Sequence, residues 1–565
     1  MLADMEKRIW HQFYDSGVPA TLDFEEKTVV DYFEESVEKH PNKRSLVFMN
    51  RSLSYKEFGD HVDRFATALS GMGVKQGSRV AVQLPNLPQT AIAFFAILKL
   101  GAQVVMTNPL YMPREIEHQW NDAEVEVAIV ADFLYEQKIK DMRSRVPVQD
   151  YIIASIPEYL KFPLNLLAPL KLKKTQPAPS IAKVAAGRGI YFFSDLVKST
   201  PPSVPSVKIT LDDVACIQYT GGTTGVSKGA MLTHRNLSSN VQQMHAWFSE
   251  VQEGEETLLS ALPFFHIFGL TVCMCWPVRA AAGIVLMPNP RDIPTMVKNI
   301  VKHKVSLFPA VPAMFHAINQ FPGIDRLDLS SVKSCFSGSA PLTEDVQVRF
   351  ETLTGAKIVE GFGLTETSPV ATVNPLLGTR KIGHIGIPVS STDVRIVDPE
   401  DGVTDLPVGT EGELILRGPQ IMKGYWQQPD ETANMIRNDW LYTGDLAIQD
   451  EDGFLRIVGR KKDMILAGGY NIYPDEIDRV LCNHPAVSEA CTIGVPNEER
   501  GETVKSFVVL QEGESGTEAI LDAWCREQMA AYKVPRSYEF REELPKSAMM
   551  KLLRRVLRDE EIAKG

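Results

Sequence analysis

The sequence is poor in cysteine and contains no long uninterrupted apolar run. Its seven cysteines are scattered over 565 residues, which excludes a scaffold built from disulfides. Cys273 and Cys275 have no second pair beside them, so we interpret them as buried thiols and not as metal ligands. The longest apolar run, 262–278, is interrupted by Pro263 and His266 and falls short of the roughly 20 apolar residues of a membrane span. The first residues also lack the apolar core of a signal peptide, so a cytoplasmic location is expected.

The sequence has no excess of basic charge either. Lys and Arg number 59 against 71 Asp and Glu, which gives a net charge of −12. Nucleic acid is therefore not expected as a partner, because its binding needs clustered cations. The length exceeds what one core of roughly 100–200 residues accommodates, so two or more domains are predicted.

Helical and strand patterns alternate in the first part of the chain. Ser54 and Glu57 predict a capping box before a helix over 58–69. A second helix is predicted over 92–100. Buried strands are predicted over 79–84, 101–106, 125–131 and 214–219. This alternation predicts an α/β architecture with largely parallel sheets.

The pattern changes after about residue 392. Short strands are predicted over 394–397, 413–417 and 454–458, and a smaller C-terminal unit begins near Arg460. This change indicates a second structural region with a different architecture.

The stretch 133–210 is interpreted as an insertion or long connection. Within it, the apolar segment 159–167 is followed by the basic cluster Lys171 to Lys174. The favoured interpretation is an apolar patch packed on its own domain. Contact with a membrane surface is the alternative, because apolar and basic residues together suit a lipid interface.

A loop rich in Gly, Thr and Ser follows the strand predicted over 214–219. Its glycines leave backbone N–H groups free, its hydroxyls donate hydrogen bonds and its lysine adds positive charge, which together suit a polyphosphate. It is not a Walker A loop, since Ser227 precedes the lysine and Gly229 follows it. The candidate ligands are Thr220, Gly221, Gly222, Thr223, Thr224, Gly225 and Lys228.

Together with this loop, several later segments resemble motifs of the adenylate-forming superfamily of acyl-CoA synthetases, adenylation domains and luciferases. They occur in the order in which that family has them. The resemblance extends from about 30 to 558 and is greatest to bacterial long-chain fatty-acid–CoA ligases. The segments that carry it are 262–269, 336–341, 360–367, 440–445, 459–463, 468–474 and 544–554.

The resemblance implies roles for residues before 400. His266 is expected between the acyl pocket and the nucleotide, and Phe362 is expected to stack on adenine. Thr365 is expected to bind the α-phosphate, while Glu366 and Thr220 hold Mg²⁺. The residues expected in the segments along the adenine and the acyl chain are Gly338, Ser339, Ala340, Glu360 and Gly361.

After residue 400 the resemblance implies a ribose contact from Asp445, a ribose or phosphate contact from Arg460 and a hinge at Lys462. Gly468 and Gly469 are expected to line the tunnel for the pantetheine of CoA. Lys551 is the implied catalytic lysine, which joins His266 and Thr365 as the catalytic set. Met550 departs from the family, which usually has Gly before this lysine, and Met would strain the loop at a positive φ.

The implied fold is mixed α/β, with a large N-terminal domain (1–459) of packed α/β subdomains and a β-barrel-like subdomain. A small mobile α+β domain (460–565) follows. The implied reaction uses ATP, Mg²⁺ and a fatty acid to form acyl-AMP, and then CoA to form acyl-CoA. A homodimer and peripheral contact with the inner face of the cell membrane stay open.

The acyl pocket and the acceptor are less well defined. The position of a gating Trp in some relatives is Leu270 here, so medium-chain and aryl acids stay open beside long-chain acids. Transfer to a carrier protein and luciferase-like oxidation are alternatives. A binding protein that has lost adenylation is a third, which Met550 keeps open.

Overall fold

The structure is a computed structural model that describes residues 8–175, 178–220, 227–467, 470–497, 501–547 and 551–564. Among these residues, no helix has both the length and the apolar character needed to cross a membrane. Contacts between Cα atoms divide the chain into two compact units. The first unit comprises 8–220, 227–392 and 418–434, and the second comprises 393–417 and the residues after 434.

The strands begin and end at the following residues. They are β1 Arg44–Phe48, β2 Arg51–Ser54, β3 Arg79–Gln83, β4 Gln103–Met106, β5 Val127–Ala131, β6 Asp150–Ala154, β7 Ile190–Phe192, β8 Val214–Thr220, β9 Lys228–Thr233, β10 Thr257–Ser260, β11 Gly283–Leu286, β12 Leu307–Ala310, β13 Ser334–Ser337 and β14 Lys357–Gly363. They continue with β15 Val370–Val373, β16 Ile387–Pro388, β17 Asp393–Val397, β18 Glu411–Arg417, β19 Gly424–Tyr425, β20 Ile436–Arg437, β21 Trp440–Gln449, β22 Leu455–Arg460, β23 Ile465–Ala467, β24 Tyr470–Ile472, β25 Val487–Asn497, β26 Gly501–Leu510 and β27 Ser537–Phe540.

The α-helices lie before, between and after these strands. They are α1 Val29–Lys39, α2 Tyr55–Gly71, α3 Pro88–Lys99, α4 Pro113–Asp122, α5 Asp132–Leu134, α6 Leu164–Leu172, α7 Phe193–Ser199, α8 His234–Trp247, α9 Ile267–Leu270, α10 Trp276–Arg279, α11 Ile293–His303, α12 Pro312–Asn319, α13 Glu344–Thr354, α14 Pro429–Met435, α15 Pro474–Cys482, α16 Glu518–Gln528 and α17 Arg554–Lys564. Short 3₁₀ or π turns cover Ile9–Phe13, Tyr135–Ile139, Lys140–Arg145, Ile156–Tyr159, Thr271–Cys275, Ile324–Arg326 and Thr365–Thr367.

The first unit contains two large sheets with mainly parallel centres. One has the order β16-β15-β14-β13-β12-β10-β11-β1-β2, and the other has the order β19-β9-β8-β4-β3-β5-β6-β7. Strands β10 to β14 pair with one another in parallel in the first of these sheets. The predicted α/β architecture with largely parallel sheets is therefore confirmed.

Local sequence signals set the helix starts. Ser54 caps α2, because its hydroxyl accepts from the Glu57 N–H at 3.2 Å and the Glu57 carboxylate accepts from the Ser54 N–H at 2.8 Å. The predicted capping box is therefore confirmed, and the helix begins directly after it at Tyr55. Helix α3 begins at Pro88, four residues before its predicted start, because proline suits the first helical turn.

The second unit contains two smaller sheets. One has the antiparallel order β17-β18-β21-β20 with β22 paired to β21, and the other has the order β24-β23-β26-β25 with β27 paired to β26. The strands predicted after residue 392 are confirmed as β17, β18 and β22. The expected domain boundary between 459 and 460 lies within β22 and stays a prediction.

The segment after Tyr159 is the main correction to the predicted packing. Tyr159 and Leu160 are buried, but Phe162 is 76% exposed and Leu166 is 64% exposed. None of the α6 side chains is buried. The prediction that the apolar patch 159–167 packs on its own domain is therefore wrong for 162–167, because the rest of the domain does not cover these side chains.

The cysteines behave as predicted. Cys273 and Cys275 are buried free thiols in the turn that follows α9. Burial raises the pKa of both thiols. Among the described residues, no group of three His, Cys, Asp or Glu side chains is arranged to hold a metal ion.

Candidate active site

Two strand ends place the first predicted ligands beside each other. Thr220 ends β8 and Lys228 begins β9, and the two residues are paired across these antiparallel strands. The Thr220 hydroxyl donates to the Lys228 carbonyl at 3.5 Å. The loop between the strands, with Gly221, Gly222, Thr223, Thr224 and Gly225, lies outside the described residues, so its phosphate-binding role stays a prediction.

Lys228 has two partners that the sequence did not indicate. Its ammonium group pairs with the Glu431 carboxylate and lies 5.3 Å from the centre of the Tyr425 ring. Lys228 and Glu431 are both partly exposed. An exposed ion pair contributes at most about 1 kcal/mol, so a more highly charged anion would compete successfully for this lysine.

Glu366 lies in the short turn Thr365–Thr367, which follows β14 and contacts β8 and β9. Its side chain is buried, and its Oε1 accepts a hydrogen bond of 2.6 Å from the Tyr425 hydroxyl. Its backbone carbonyl accepts from the Met422 N–H at 2.8 Å. The turn therefore brings Thr365 and Glu366 to the strands that carry Thr220 and Lys228.

Tyr425 is held in place by a short strand. Strand β19 pairs with β9, with Tyr425 opposite Ala230. Burial raises the pKa of Tyr425, and the adjacent Glu366 carboxylate raises it further. The tyrosine hydroxyl is therefore protonated at neutral pH and acts as a donor to Glu366.

The donor set around Glu366 fits a magnesium ion that arrives with a polyphosphate. Glu366 Oε2 has no protein partner in the described part of the chain, and Tyr425 orients the carboxylate through Oε1. Mg²⁺ prefers oxygen ligands and commonly uses one or two protein carboxylates, with phosphate and water oxygens completing its shell. Glu366 and the Thr220 hydroxyl are oxygen ligands of this kind.

A second group of polar atoms lies at the ends of β13 and β14. Ser337 and Glu360 are paired across these parallel strands. Ser337 Oγ and Glu360 Oε2 are buried without a hydrogen-bond partner among the described residues. Burial raises the pKa of Glu360 to about 8. Buried polar atoms without partners are rare in proteins, so these two indicate a place for a polar ligand group.

The small residues nearby have packing reasons of their own. A Cβ at Gly361 would lie 2.4 Å from the Phe336 ring, and one at Gly338 would lie 3.1 Å from the Phe268 ring. Ser339 adopts a φ of +72°. The Phe336 ring thus leaves no room for a side chain at Gly361, and the Phe268 ring leaves little at Gly338. Ala340 and Phe362 beside them are partly exposed. Roles of these residues toward adenine stay predictions.

His266 begins α9 and caps it. Its Nδ1 accepts from the Phe268 N–H at 3.3 Å. The Phe268 ring in turn packs edge-on against Phe336 of β13, with centroids 5.2 Å apart. The Phe268 ring therefore links the histidine loop to Phe336 and lies next to Gly338.

In the second unit, Asp445 and Arg460 are paired across β21 and β22. Arg460 Nε lies 2.8 Å from Asp445 Oδ1, and the carboxylate is almost fully buried. Asp445 Oδ2 has no hydrogen-bond partner within the described residues. Burial raises the pKa of Asp445, and the charge of Arg460 opposes that rise. This free, buried oxygen is suited to accept from hydroxyl groups.

Lys551 lies in the same unit and interacts with this pair. Its N–H donates to Ser547 Oγ at 3.2 Å, and Lys546 and Leu552 form an isolated antiparallel β-bridge. The charge of Arg460, followed by desolvation, lowers the pKa of Lys551 to about 8, and the Asp445 carboxylate opposes this effect. The structure thus brings Asp445, Arg460 and Lys551 together.

Of the other predicted residues of this unit, Lys462 also acts on Asp445, because its positive charge opposes the rise in the pKa of that carboxylate. Lys462 is exposed in the turn after β22. Gly468 and Gly469 lie outside the described residues, as does Met550, so the expected CoA tunnel and the strain at Met550 stay predictions.

Tyr425 and Glu431 were missed by the sequence reasoning. The signal available was the sequence Gly424-Tyr425-Trp426, a glycine before two aromatic residues. Nothing in that pattern links it to Glu366, which lies about 60 residues earlier. Only the pairing of β19 with β9 shows the connection.

This fold and these residues define a class of nucleotide-using enzymes. The family profile described as AMP-binding enzyme matches residues 33–426, and the profile described as AMP-binding enzyme C-terminal domain matches residues 476–551. The chain belongs to the family of AMP-binding enzymes.

Two curated relatives are similar to this chain over nearly its whole length. The chain is 43% identical to the long-chain-fatty-acid–CoA ligase of Bacillus subtilis (strain 168) over 98% of each chain. It is 40% identical to the long-chain-fatty-acid–CoA ligase of Yersinia pestis over 99% of each chain.

Solved structures share the fold over nearly their whole length. The anthranilate CoA ligase AuaEII in complex with anthranoyl-AMP superposes with a TM-score of 0.83 at 26% identity, covering 97% of this chain and 99% of that one. The ATP-bound MatB from Rhodopseudomonas palustris superposes with a TM-score of 0.81 at 28% identity, covering 94% and 99%.

Proposed function

We propose that this protein is an AMP-forming fatty-acid–CoA ligase, with long-chain acids as its preferred substrates. In the first step a fatty carboxylate oxygen attacks the α-phosphorus of ATP, the bond to the β-phosphate oxygen breaks, and pyrophosphate leaves. In the second step the CoA thiol attacks the acyl carbon, and AMP leaves as acyl-CoA forms. Atoms and charges balance over the two steps without a further reactant.

The proposed roles in the first unit concern the phosphates and the acid. Lys228 and the loop before it bind the β- and γ-phosphates, and Thr365 binds the α-phosphate. Glu366 and Thr220 would hold Mg²⁺, which would supply positive charge to the phosphates. His266 lies between the nucleotide and the acyl chain, and the segments 338–340 and 360–362 line the adenine.

The proposed roles in the second unit concern the ribose and the reacting groups. Asp445 Oδ2 accepts from the ribose hydroxyls, with Arg460 holding the carboxylate in place. Lys551 approaches the carboxylate and the α-phosphate, and its positive charge offsets the repulsion between two anions. Residues 460–565 turn about Lys462 between the two steps, and Gly468 and Gly469 line the CoA tunnel.

One observation carries the proposal. The chain is 43% identical to a long-chain-fatty-acid–CoA ligase over 98% of both proteins, so the two have the same domain content. A second observation supports it, since the Asp445 oxygen without a partner among the described residues is buried beside Arg460 and can accept from ribose hydroxyls.

The test is a matched pair of product assays. The protein is incubated with ATP, Mg²⁺ and saturated acids of increasing chain length, plus one aryl acid, with and without CoA. We expect acid-dependent pyrophosphate in every productive reaction, and acyl-CoA only when CoA is present, with the highest kcat/KM for long chains. A preference for the medium-chain or aryl acid would overturn the assignment of long-chain substrates but would agree with the proposed reaction.

The same assay addresses the alternatives. Pyrophosphate without acyl-CoA would favour transfer to a carrier protein, and light emission with oxygen would favour a luciferase-like oxidase. Absence of acid-dependent pyrophosphate across the panel would favour an adenylation-impaired binding protein.

A further inference from the structure

A projecting apolar helix with basic neighbours lies outside the candidate active site. We name residues 161–174, which include α6, the apolar-basic helix. Four of its large apolar side chains are exposed to a degree unusual for such residues, namely Phe162 at 76%, Leu166 at 64%, Leu167 at 52% and Leu170 at 63%. An exposed cluster of large apolar side chains normally marks a surface that meets another body.

The charged residues in the chain segment around this apolar cluster are all basic. Between Tyr159 and Ser194 the chain has six basic residues and no acidic residue, although its overall net charge is −12. All six basic residues are exposed, and none pairs with a carboxylate in the described part of the chain. They are Lys161, Lys171, Lys173, Lys174, Lys183 and Arg188. The partner of this surface therefore presents apolar material and negative charge together.

The base of the helix is fixed to the first unit. Asn50 clamps the backbone of Lys161, because its Nδ2 donates to the Lys161 carbonyl and its Oδ1 accepts from the Lys161 N–H, both at 3.0 Å. On the far side, Gln137 donates to the Pro179 carbonyl at 2.8 Å. The apolar-basic helix thus lies between two points at which the chain is hydrogen-bonded to the rest of the first unit.

Its length limits how it meets a membrane. Helix α6 has nine residues, which at 1.5 Å per residue is far shorter than the roughly 30 Å hydrocarbon core. It cannot cross a bilayer, but its leucines reach the depth of the headgroup boundary when the helix lies on the surface. Lysines beside such a helix stay at the level of the headgroup phosphates, where each adds to the attraction for anionic lipid.

We propose that the apolar-basic helix docks this protein on membranes that contain anionic phospholipid. The leucines and Phe162 insert among the headgroups, and the six cations select negative charge. This inference concerns a surface apart from the proposed reaction and does not depend on it.

The test measures sedimentation of the full-length protein with vesicles. One vesicle is pure phosphatidylcholine, and the other contains phosphatidylcholine and phosphatidylglycerol at about three to one. We expect stronger binding to the anionic vesicle and loss of that preference at high salt. Equal binding to both vesicles, or binding to neither, would overturn the proposal.

Two variants separate the apolar and charged contributions. The combined change Leu166→Gln, Leu167→Gln and Leu170→Gln is expected to lower binding to both vesicles. The combined change Lys171→Gln, Lys173→Gln and Lys174→Gln is expected to lower binding to the anionic vesicle alone, by about tenfold or more. If both variants bind as the wild type does, the surface is not the docking site.

Matched controls carry the same changes elsewhere on the surface. Leu377, Val403 and Val408 are comparably exposed, and their change to Gln controls for lost apolar surface. Lys298, Lys302 and Lys304 are exposed and close in sequence, and their change to Gln controls for lost charge. We expect both control proteins to bind as the wild type does, and a loss of binding in them would overturn the assignment to this helix.

A fluorescence measurement on a single-residue variant tests the proposal without relying on the folding of the triple variants. Leu166→Cys is labelled with an environment-sensitive fluorophore, since six of the seven native cysteines are buried, and the labelled wild type gives the background. We expect a blue shift with anionic vesicles at position 166 and none for Val403→Cys. The absence of a blue shift at position 166 would overturn the lipid assignment. A dimer that forms without vesicle binding and is lost when the leucines are changed would also overturn it, and would assign the surface to a second copy of the chain.

Discussion

Tyr425 donates a 2.6 Å hydrogen bond to the Glu366 carboxylate from a strand that lies about 60 residues further along the chain. This bond fixes one oxygen of the carboxylate and leaves the other for a ligand. Outer partners of a metal-binding carboxylate commonly influence metal affinity as strongly as 10- to 100-fold. The quality of the proposed magnesium site therefore depends on a residue that does not itself bind the metal.

Tyr425→Phe removes this hydrogen bond and keeps the ring beside Lys228. We expect the Mg²⁺ concentration for half-maximal pyrophosphate release to rise by about tenfold, while KM for the acid stays near its wild-type value. A Mg²⁺ titration of the initial rate checks this. Tyr191→Phe, on the partly exposed strand β7, is the matched control and should leave the titration unchanged. An unchanged titration in Tyr425→Phe would show that Glu366 needs no positioning.

Lys228→Met removes the ammonium group proposed to bind phosphate. We expect KM for ATP to rise by about tenfold or more, because a hydrogen bond to a charged group contributes about 1.5–3 kcal/mol. Glu431→Gln removes the competing carboxylate and should lower KM for ATP, with a change in unfolding free energy below about 1 kcal/mol. Lys298→Met is the control. A KM for ATP that Lys228→Met leaves unaltered would contradict the assignment.

Asp445→Asn weakens the acceptor proposed for the ribose hydroxyls. We expect a higher KM for ATP together with lower stability, because Arg460 loses a charged partner. Asp393→Asn is a close control, since Asp393 is also buried and lies 3.1 Å from Arg417 in the same sheet. The control should lose stability without a change in KM for ATP. If both variants raise KM equally, the effect is structural and the ribose role is wrong.

Glu360 gives a stability prediction with a definite sign. Burial raises its pKa from 4.5 to about 8, so the folded protein holds this proton more tightly than the unfolded chain does. Its contribution is complete below pH 4.5 and is lost as the pH rises toward about 8. Glu360→Gln removes this dependence, which amounts to at most about 5 kcal/mol.

Thermal unfolding from pH 5 to 9 measures this difference. The Tm of the wild type should fall relative to that of Glu360→Gln over this interval. Glu250→Gln, at an exposed position, should follow the wild type. Parallel curves for the wild type and Glu360→Gln would show that Glu360 does not keep its proton in the folded state.

Lys551 gives a prediction about rate and pH. Its ammonium group must be charged to offset the two anions, and Arg460 lowers its pKa to about 8. The rate of pyrophosphate release should therefore decline as the pH rises through about 8. Lys551→Arg should shift this decline to higher pH, because guanidinium stays charged.

A second measurement separates the two half-reactions. Lys551→Ala should slow acyl-AMP formation strongly, yet it should still convert supplied acyl-AMP to acyl-CoA. Equal loss of both half-reactions would indicate that the lysine is needed for folding or for both steps.

The sequence predicted most of what depends on local pattern. The Ser54–Glu57 capping box, the parallel strands of the first unit and the short strands after residue 392 follow from neighbouring residues, and the structure confirms them. The resemblance implied a nucleotide contact for both Asp445 and Arg460, and the strand register shows that the two residues are also paired with each other.

What the sequence did not predict depends on contacts between distant segments. Tyr425 reaches Glu366 only because β19 pairs with β9, and no periodicity in the chain encodes that pairing. Helix α6 was expected to be covered, because its apolar composition is the same whether a neighbour exists or not. Exposure is a property of the whole fold, which a local pattern does not contain.

The segment 418–434 belongs to the first unit, although the chain on either side of it belongs to the second. It carries Tyr425 and Glu431, the partners of Glu366 and Lys228. A hybrid enzyme that exchanges everything after residue 392 with a relative would therefore also replace the supports of the phosphate-side residues. A hybrid that exchanges the second unit must keep 418–434 with the first unit. The chain therefore has to be joined at three points and not at one.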